Sequence, residues 1–311
     1  MDVLICGSVA YDTIMVFPGR FKEHILPDKV HLLNVSFLVP EMRRDFGGCA
    51  GNIAYSLALL GAKGAPMATV GLDFGTYQEW MDRNLVARDF VTKLETHYTA
   101  QAYITTDIDD NQITAFHPGA MNESHRNHVP RDAGVRIGTI SPDGRDGMLQ
   151  HAREFSAAGI PFMFDPGQGM PMFDGKELLA FIDQSEWLTL NAYEAELMQK
   201  KTGLSLDKLA ERVAALIVTH GGEGSTIYAD GKKIEIAAVE PDAVRDPTGC
   251  GDAYRAGLLY GLLNDMDWET TGRIAALLGS IKVAHTGTQN HQFTRDQFAA
   301  RFVEAFDYDF S

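Results

Sequence analysis

Two textures alternate along the chain. Residues 3–9 are almost wholly apolar, predicting a buried strand that enters a turn near Tyr11 and Asp12. Residues 48–61, GCAGNIAYSLALLG, are rich in Ala and Leu and closed by a glycine, a helix pattern. APMATVG (65–71) then predicts a buried strand, and FGTYQEWMDRNL (74–85) a helix. From 135 onward the alternation is regular. VRIGTIS, PFMFD, WLTLN and LIVTH predict strands, separated by helices over 150–157, 177–184 and the stretch after 191. Such alternation predicts an α/β fold with a mainly parallel sheet covered on both faces. The last third adds a hairpin over 225–237 and helices over 267–284 and 294–305.

The second texture is extended and exposed. TAQAYITTDIDDNQITAFHPG (99–119) holds two runs rich in Thr, Ile, Tyr and Phe around a polar turn, a β-hairpin pattern. Residues 18–46 are irregular, with short extended pieces such as HLLNVSFLV (31–39). These segments fit poorly inside an α/β core. They predict a small β element beside the main sheet, a cover over a site, contributed by residues 12–46 and 97–120 of a single domain spanning 1–311.

Composition narrows the chemistry. A net charge of −15 in 311 residues argues against nucleic acid and anionic membrane surfaces, both of which require clustered Lys and Arg. Cys6, Cys49 and Cys250 are far apart and contain no C-x-x-C pair, as expected for a reducing compartment. No basic leader opens the sequence and no apolar run approaches membrane-helix length, so the expected location is cytoplasmic. The sequence has no G-x-x-x-x-G-K-[ST] loop, no protein-kinase set, no dinucleotide fingerprint and no H-E-x-x-H spacing. Cys49 and Cys250 read as packing, and His24, His97 and His117 as polar surface or lid residues.

The densest chemistry lies in DPTGCGDAYRAGLLYGLL, residues 246–263. Pro247 and Gly249 interrupt the preceding segment, and Gly251 stands at the start of an apolar helix. The first amides of a helix lack intrahelical acceptors and, with the dipole, form an anion site. Asp252 beside such a site can take a proton from a hydroxyl that attacks a phosphoryl group held there. It can equally stabilise the helix start. Ala253, Gly257 and Gly261 form a small-residue stripe for close helix packing.

This segment resembles the C-terminal signature of the ribokinase/PfkB-type carbohydrate kinases, usually D-T-T-G-A-G-D, with Pro247 and Cys250 as departures. The resemblance implies that Asp252 is the catalytic base and that the Gly249, Cys250 and Gly251 amides form the anion hole, Gly249 and Gly251 also meeting ATP. FGGCAGNIAYSLALLG (46–61) resembles the family's N-terminal signature. It implies that Gly47 and Gly48 admit a sugar to the backbone, with Asn52 one turn on. Asp12 stands where the family places the acid that binds two vicinal hydroxyls, and Ser8 is a weaker candidate. LNAYEAELM (190–198) resembles the N-x-x-E motif, which implies Asn191 at ATP and Glu194 at Mg²⁺ through water. That spacing is also a capping box. VTHGGEGS (218–225) resembles the nucleotide turn, which implies Thr219, Gly221 and Gly224 at ATP. AHTGTQN (284–290) falls where some members hold a monovalent cation such as K⁺, with Asp246, Thr248 and Gly287 as candidate ligands. FDPGQG (164–169) ends a strand near the same cleft.

The resemblance implies a ribokinase-like three-layer sandwich with a β lid, acting on ATP with Mg²⁺ as a monomer or a homodimer through the lid. The chain looks most like the nucleoside kinase branch. Gln112, Phe116 and Met121 are candidates to wall a purine base, giving 5′-phosphorylation of adenosine, inosine or guanosine. A kinase of a free sugar and a non-catalytic nucleoside sensor are the alternatives.

Overall fold

The computed structural model describes residues 2–25, 35–109 and 111–310. In chain order the elements begin with β1 (Val3–Cys6), β2 (Ala10–Val16), α1 (Phe21–His24), β3 (Glu41–Gly47), α2 (Cys49–Leu59), β4 (Gly64–Val70), α3 (Gly75–Arg83) and β5 (Phe90–Lys93). They continue with β6 (Ala100–Thr106), β7 (Gln112–His117), β8 (Ile137–Ile140), α4 (Arg145–Ala158), β9 (Phe162–Phe164), α5 (Gly175–Gln184), β10 (Trp187–Asn191) and α6 (Ala192–Thr202). The last are α7 (Leu206–Ala210), β11 (Ala215–Thr219), β12 (Ser225–Ala229), β13 (Lys232–Ile236), α8 (Cys250–Leu263), α9 (Trp268–Val283) and α10 (Arg295–Phe306).

Nine strands form one sheet in the order β13-β12-β11-β10-β9-β8-β1-β4-β5, parallel except for the β11-β12-β13 edge. Strand β1 shows why the sheet is central. Val3 and Ile5 pack into one core with α2, α8 and α9, while Leu4 and Cys6 pack into another with α4, α5 and α6. Alternating side chains of an entirely apolar strand thus feed both faces, which is the expected sandwich. The strand order reverses at β1, between β8 and β4. Crevices outside the carboxyl ends of strands at such a reversal are where open α/β sheets bind ligands. Among the described residues, no helix is long and apolar enough to cross a membrane.

The second sheet, ordered β3-β2-β6-β7, is the smaller β-sheet expected beside the main one, called the lid below. Three expectations need correction. The first strand stops at Cys6, and the chain re-enters sheet structure at Ala10, so Asp12 lies inside β2 and not in a turn. Helix α4 begins at Arg145, five residues before the expected start at Gln150, because its first three residues, Arg145, Asp146 and Gly147, carry no apolar signal and glycine is a weak helix former. Strand β5 and the short α7 were not anticipated; β5 is a half-exposed edge strand with little hydrophobic signal. Of HLLNVSFLV, residues 31–34 lie outside the described residues, and 35–39 form no regular element.

Candidate active site

The start of α8 is built on glycine. Gly249 caps the helix at φ 78°, the left-handed region that side chains avoid. The turn leaves the N–H groups of Gly249, Gly251 and Asp252 without an acceptor among the described residues, whereas Cys250 N–H donates to Pro247 O at 3.1 Å. Of the three amides expected to form an anion hole, that of Cys250 is thus engaged in closing the turn, while those of Gly249 and Gly251, with that of Asp252, are open.

Asp252 is half-buried, and its carboxyl is pushed up to about 7, chiefly by burial, with Asp165 and Asp12 adding repulsion. Asn52 opposes the shift by donating from Nδ2 to Asp252 Oδ2 at 2.7 Å. The other end of Asn52 is also engaged, since Oδ1 accepts from Gln289 Nε2 at 2.9 Å. Gln289 is fixed in turn by Trp80 Nε1, which donates to its Oε1 at 2.9 Å, and by Tyr77 Oη at 2.6 Å. Asn52, expected on a sugar hydroxyl, has one of its two Nδ2 hydrogens on that carboxylate. Gln289 is a residue the sequence reading missed, although it lies in the quoted 284–290 loop.

Asp12 comes from the lid. Its carboxyl rises to about 6, first through burial and then through the charges of Asp45 and Asp246. Asp45 is its cross-strand partner on β3, so two like charges face each other directly. Gly47 leaves the space that the Asp12 carboxylate occupies, since a Cβ there would overlap it. Gly48 has φ 87°, and a Cβ there would lie 2.5 Å from Ser8 O. Ser8 is structural: its Oγ accepts from Cys49 N at 3.1 Å, and its carbonyl from Ala50 N at 2.9 Å, seating the start of α2.

Sheet register sorts the lid residues. Asp12 pairs with Ala102, and Ala102 with Phe116, so Asp12 and Phe116 share one face. Phe116 is 48% exposed there, open to a ligand. Gln112 lies on the same face but pairs with Thr106, opposite Val16. It stands four residues further along, about 13 Å at roughly 3.3 Å per residue. Gln112 is therefore not brought together with Asp12. Met121 is half-buried in a short turn of helix after β7.

At the nucleotide side, Asn191 pairs in register with Thr219 at adjacent strand ends. Gly221 has φ 60° with open space around it, while Gly224 at φ 96° packs against the Ile236 carbonyl and is structural. Asn191 and Glu194 form a reciprocal capping box, Asn191 N to Glu194 Oε2 and Glu194 N to Asn191 Oδ1, both 2.8 Å. Glu194 Oε1 has no protein donor among the described residues, and its carboxyl is raised by burial and by Asp165. Arg255, one turn along α8 from Asp252, was also missed. Buried at 5% exposure, it donates from Nη2 to Asp165 Oδ1 at 2.9 Å and lies 4.0 Å from Glu194.

The candidate cation residues hydrogen-bond to one another. Asp246 Oδ1 accepts from Thr248 N and Oδ2 from Gly287 N, both at 2.9 Å, and Arg43 lies 3.3 Å from Oδ2. Thr248 and Gly287 thus present N–H groups to that carboxylate and anchor the turn.

Comparison with known proteins bears on the family and the fold. The sequence description of the pfkB family carbohydrate kinase matches residues 8–295. A nucleoside kinase of Methanocaldococcus jannaschii is 35% identical over 273 residues, covering 86% of this chain and 89% of that protein. The crystal structure of a Burkholderia thailandensis nucleoside kinase with inosine superposes with a TM-score of 0.90 at 51% identity, covering 99% of each chain. Its complex with ADP-inosine gives 0.88 at 53% identity, covering 99% of this chain and 97% of that one.

Proposed function

The chain belongs to the pfkB family of carbohydrate kinases, and from that premise we propose that it transfers the γ-phosphoryl group of ATP to the 5′-hydroxyl of a purine ribonucleoside. The observation that carries this reading is Asp252, a carboxylate with a pKa near 7 beside the unpaired amides of Gly251 and itself. Across the cleft Asp12 supplies the acceptor for a vicinal diol, and its charge is felt at Asp252. The nucleoside kinases of B. thailandensis and M. jannaschii support the choice of acceptor, the former through its inosine complex.

The ribose enters between Asp12 and α2, where Gly47 and Gly48 leave the backbone bare. Phe116, on the face of Asp12, covers the base. The 5′-hydroxyl then meets Asp252, whose Oδ2 is pinned by Asn52. As the hydroxyl attacks phosphorus, its proton passes to the carboxylate. The Gly249, Gly251 and Asp252 amides receive the charge that builds on the phosphoryl oxygens, a task that costs no reorganisation because the turn is already formed. ATP lies along the open Gly221 turn and the ends of β10 and β11.

The donor chemistry beside the turn fits Mg²⁺. Glu194 and Asp165 each keep a carboxylate oxygen without a protein donor among the described residues, suited to an ion that retains its waters and takes one or two carboxylates plus phosphate oxygens. When bound there the ion would neutralise phosphate charge. Arg255 holds both carboxylates in place. The outer face of the lid exposes Met42, Tyr103 and Ile113 and is the surface on which two copies would pair. The reaction is expected in the cytoplasm.

The test is ADP release from MgATP against adenosine, inosine, guanosine, cytidine, ribose and fructose. Purine nucleosides should turn over fastest. Phosphorylation of free sugars with none of nucleosides would reject the acceptor, and no ADP with any acceptor would reject catalysis.

A further inference from the structure

Lys282, in the last turn of α9, is wholly buried, at 0% exposure. A lysine ammonium in that position is costly unless several acceptors replace its water. Here Nζ donates to Asp246 O at 2.7 Å and to His285 O at 3.1 Å. Both oxygens are main-chain carbonyls. One belongs to the turn that leads into α8, the other to the 284–290 loop, and these are the two segments in which a monovalent cation was expected. The side chains beside them are not free to take an ion. Both oxygens of Asp246 already accept N–H groups, from Thr248 and Gly287, and Arg43 stands on the second. Burial lowers the Lys282 pKa, while Cys250, Asp246 and Asp252 oppose that shift and favour the charged ammonium.

We propose that the Lys282 ammonium replaces the monovalent cation beneath the amide turn of α8, so that this chain neither binds nor requires one there. Occupancy of the position follows from the contacts alone, while the catalytic consequence rests on the kinase reading above. An ammonium and a potassium ion carry the same charge at similar size, and the carbonyls that would coordinate the ion serve as hydrogen-bond acceptors for the side chain. Lys282 is a positioning residue: it fixes the Asp246 carbonyl, and through the Asp246–Gly249 turn the amides that face the phosphoryl group. Being tethered, the charge does not vary with the salt around the protein.

The experiment uses the full chain and its Lys282→Ala variant, with Lys282→Met as a second variant that keeps the apolar stem should alanine not fold. Melting temperature is followed while KCl replaces choline chloride at constant ionic strength. The parent should not respond, and the variant should rise saturably with K⁺ or methylammonium. In parallel, ADP release with MgATP and inosine should be equal in both salts for the parent. It should fall about ten-fold or more in the variant, with partial recovery on adding K⁺ or methylammonium. Saturable K⁺ activation or K⁺-dependent melting of the parent would overturn the proposal. Loss in both variants with no rescue by any cation would also overturn it, reducing Lys282 to a structural post. A parent that phosphorylates nothing would sink the kinase reading, yet the melting series would still decide who occupies the site.

Discussion

Asn52 and Asp252 lie 200 residues apart in sequence and meet at 2.7 Å, an amide donating to the carboxylate proposed above as the base. The pair joins the first turn of α2 to the first turn of α8, whose helices pack on one face of the sheet. It sets both the direction of the base and, by favouring the ionised form, its strength.

Replacement Asp252→Asn removes the proton acceptor but keeps the shape and the hydrogen bond from the helix start. Turnover should fall about 10²–10⁴-fold. ATP binding by calorimetry and the melting temperature should stay near those of the parent. A variant that turned over at the parental rate would place the base elsewhere.

The rate should depend on pH through Asp252. Its pKa is raised to about 7, and only the ionised form accepts a proton, so kcat should rise with pH and level off above neutrality. Deleting the Asn52 donor with Asn52→Leu takes away an interaction that lowers that pKa. The profile should then move to higher pH. An unmoved midpoint would assign the titration to another group.

Asp12 acts on the acceptor and not on ATP. Asp12→Asn halves its capacity to accept from two hydroxyls, and KM for the nucleoside should rise well beyond any change in KM for ATP. Initial-rate series in each substrate separate the two. Equal shifts in both would count against a diol contact.

Gly48 is fixed by its surroundings. A Cβ would stand 2.5 Å from Ser8 O and 2.7 Å from Ala10 N, at a φ of 87°. Gly48→Ala should cost about 1–3 kcal/mol of stability, read by denaturant titration, and should misplace the adjoining Asp12 strand.

Asp143, just ahead of α4, is 2% exposed, and its Oδ2 has no partner among the described residues. Burial raises its pKa from 3.8 to about 8. Between those values the folded protein holds a proton that the unfolded chain releases, so this group's contribution to stability declines as pH rises through that window. Asp143→Asn has no such proton. Its stability relative to the parent should improve steadily from pH 5 to about 8 and then stay constant. A pH-independent difference would show that Asp143 is ionised when folded.

Motif spacing singled out Asp252 and the Asn191–Glu194 pair because each stands at a helix start, where local pattern and chemistry coincide, whereas Asp12, inside β2, was singled out by the family resemblance. Partners across the fold were not legible. Asn52 could be placed on a helix face, but nothing local says that the face meets Asp252 or that Gln289 closes behind it. Arg255 and Lys282 sit in apolar helical runs, where a lone charge is a visible anomaly whose partner is set by distant loops. The lid was legible as texture, from its Thr, Ile and aromatic content. Its register was not, which is why Phe116 stands with Asp12 and Gln112 does not. Strand β5 escaped because an exposed edge carries little hydrophobic contrast.

Gln289 also has a bearing on how the protein is made. The prop behind the base comes later in the chain than both residues it steadies, so a nascent chain on the ribosome carries both halves of the Asn52–Asp252 contact before it owns what steadies them. Activity should therefore appear only once synthesis has passed this loop. Fragments that stop short of this loop should be inert, even where the sheet itself has formed.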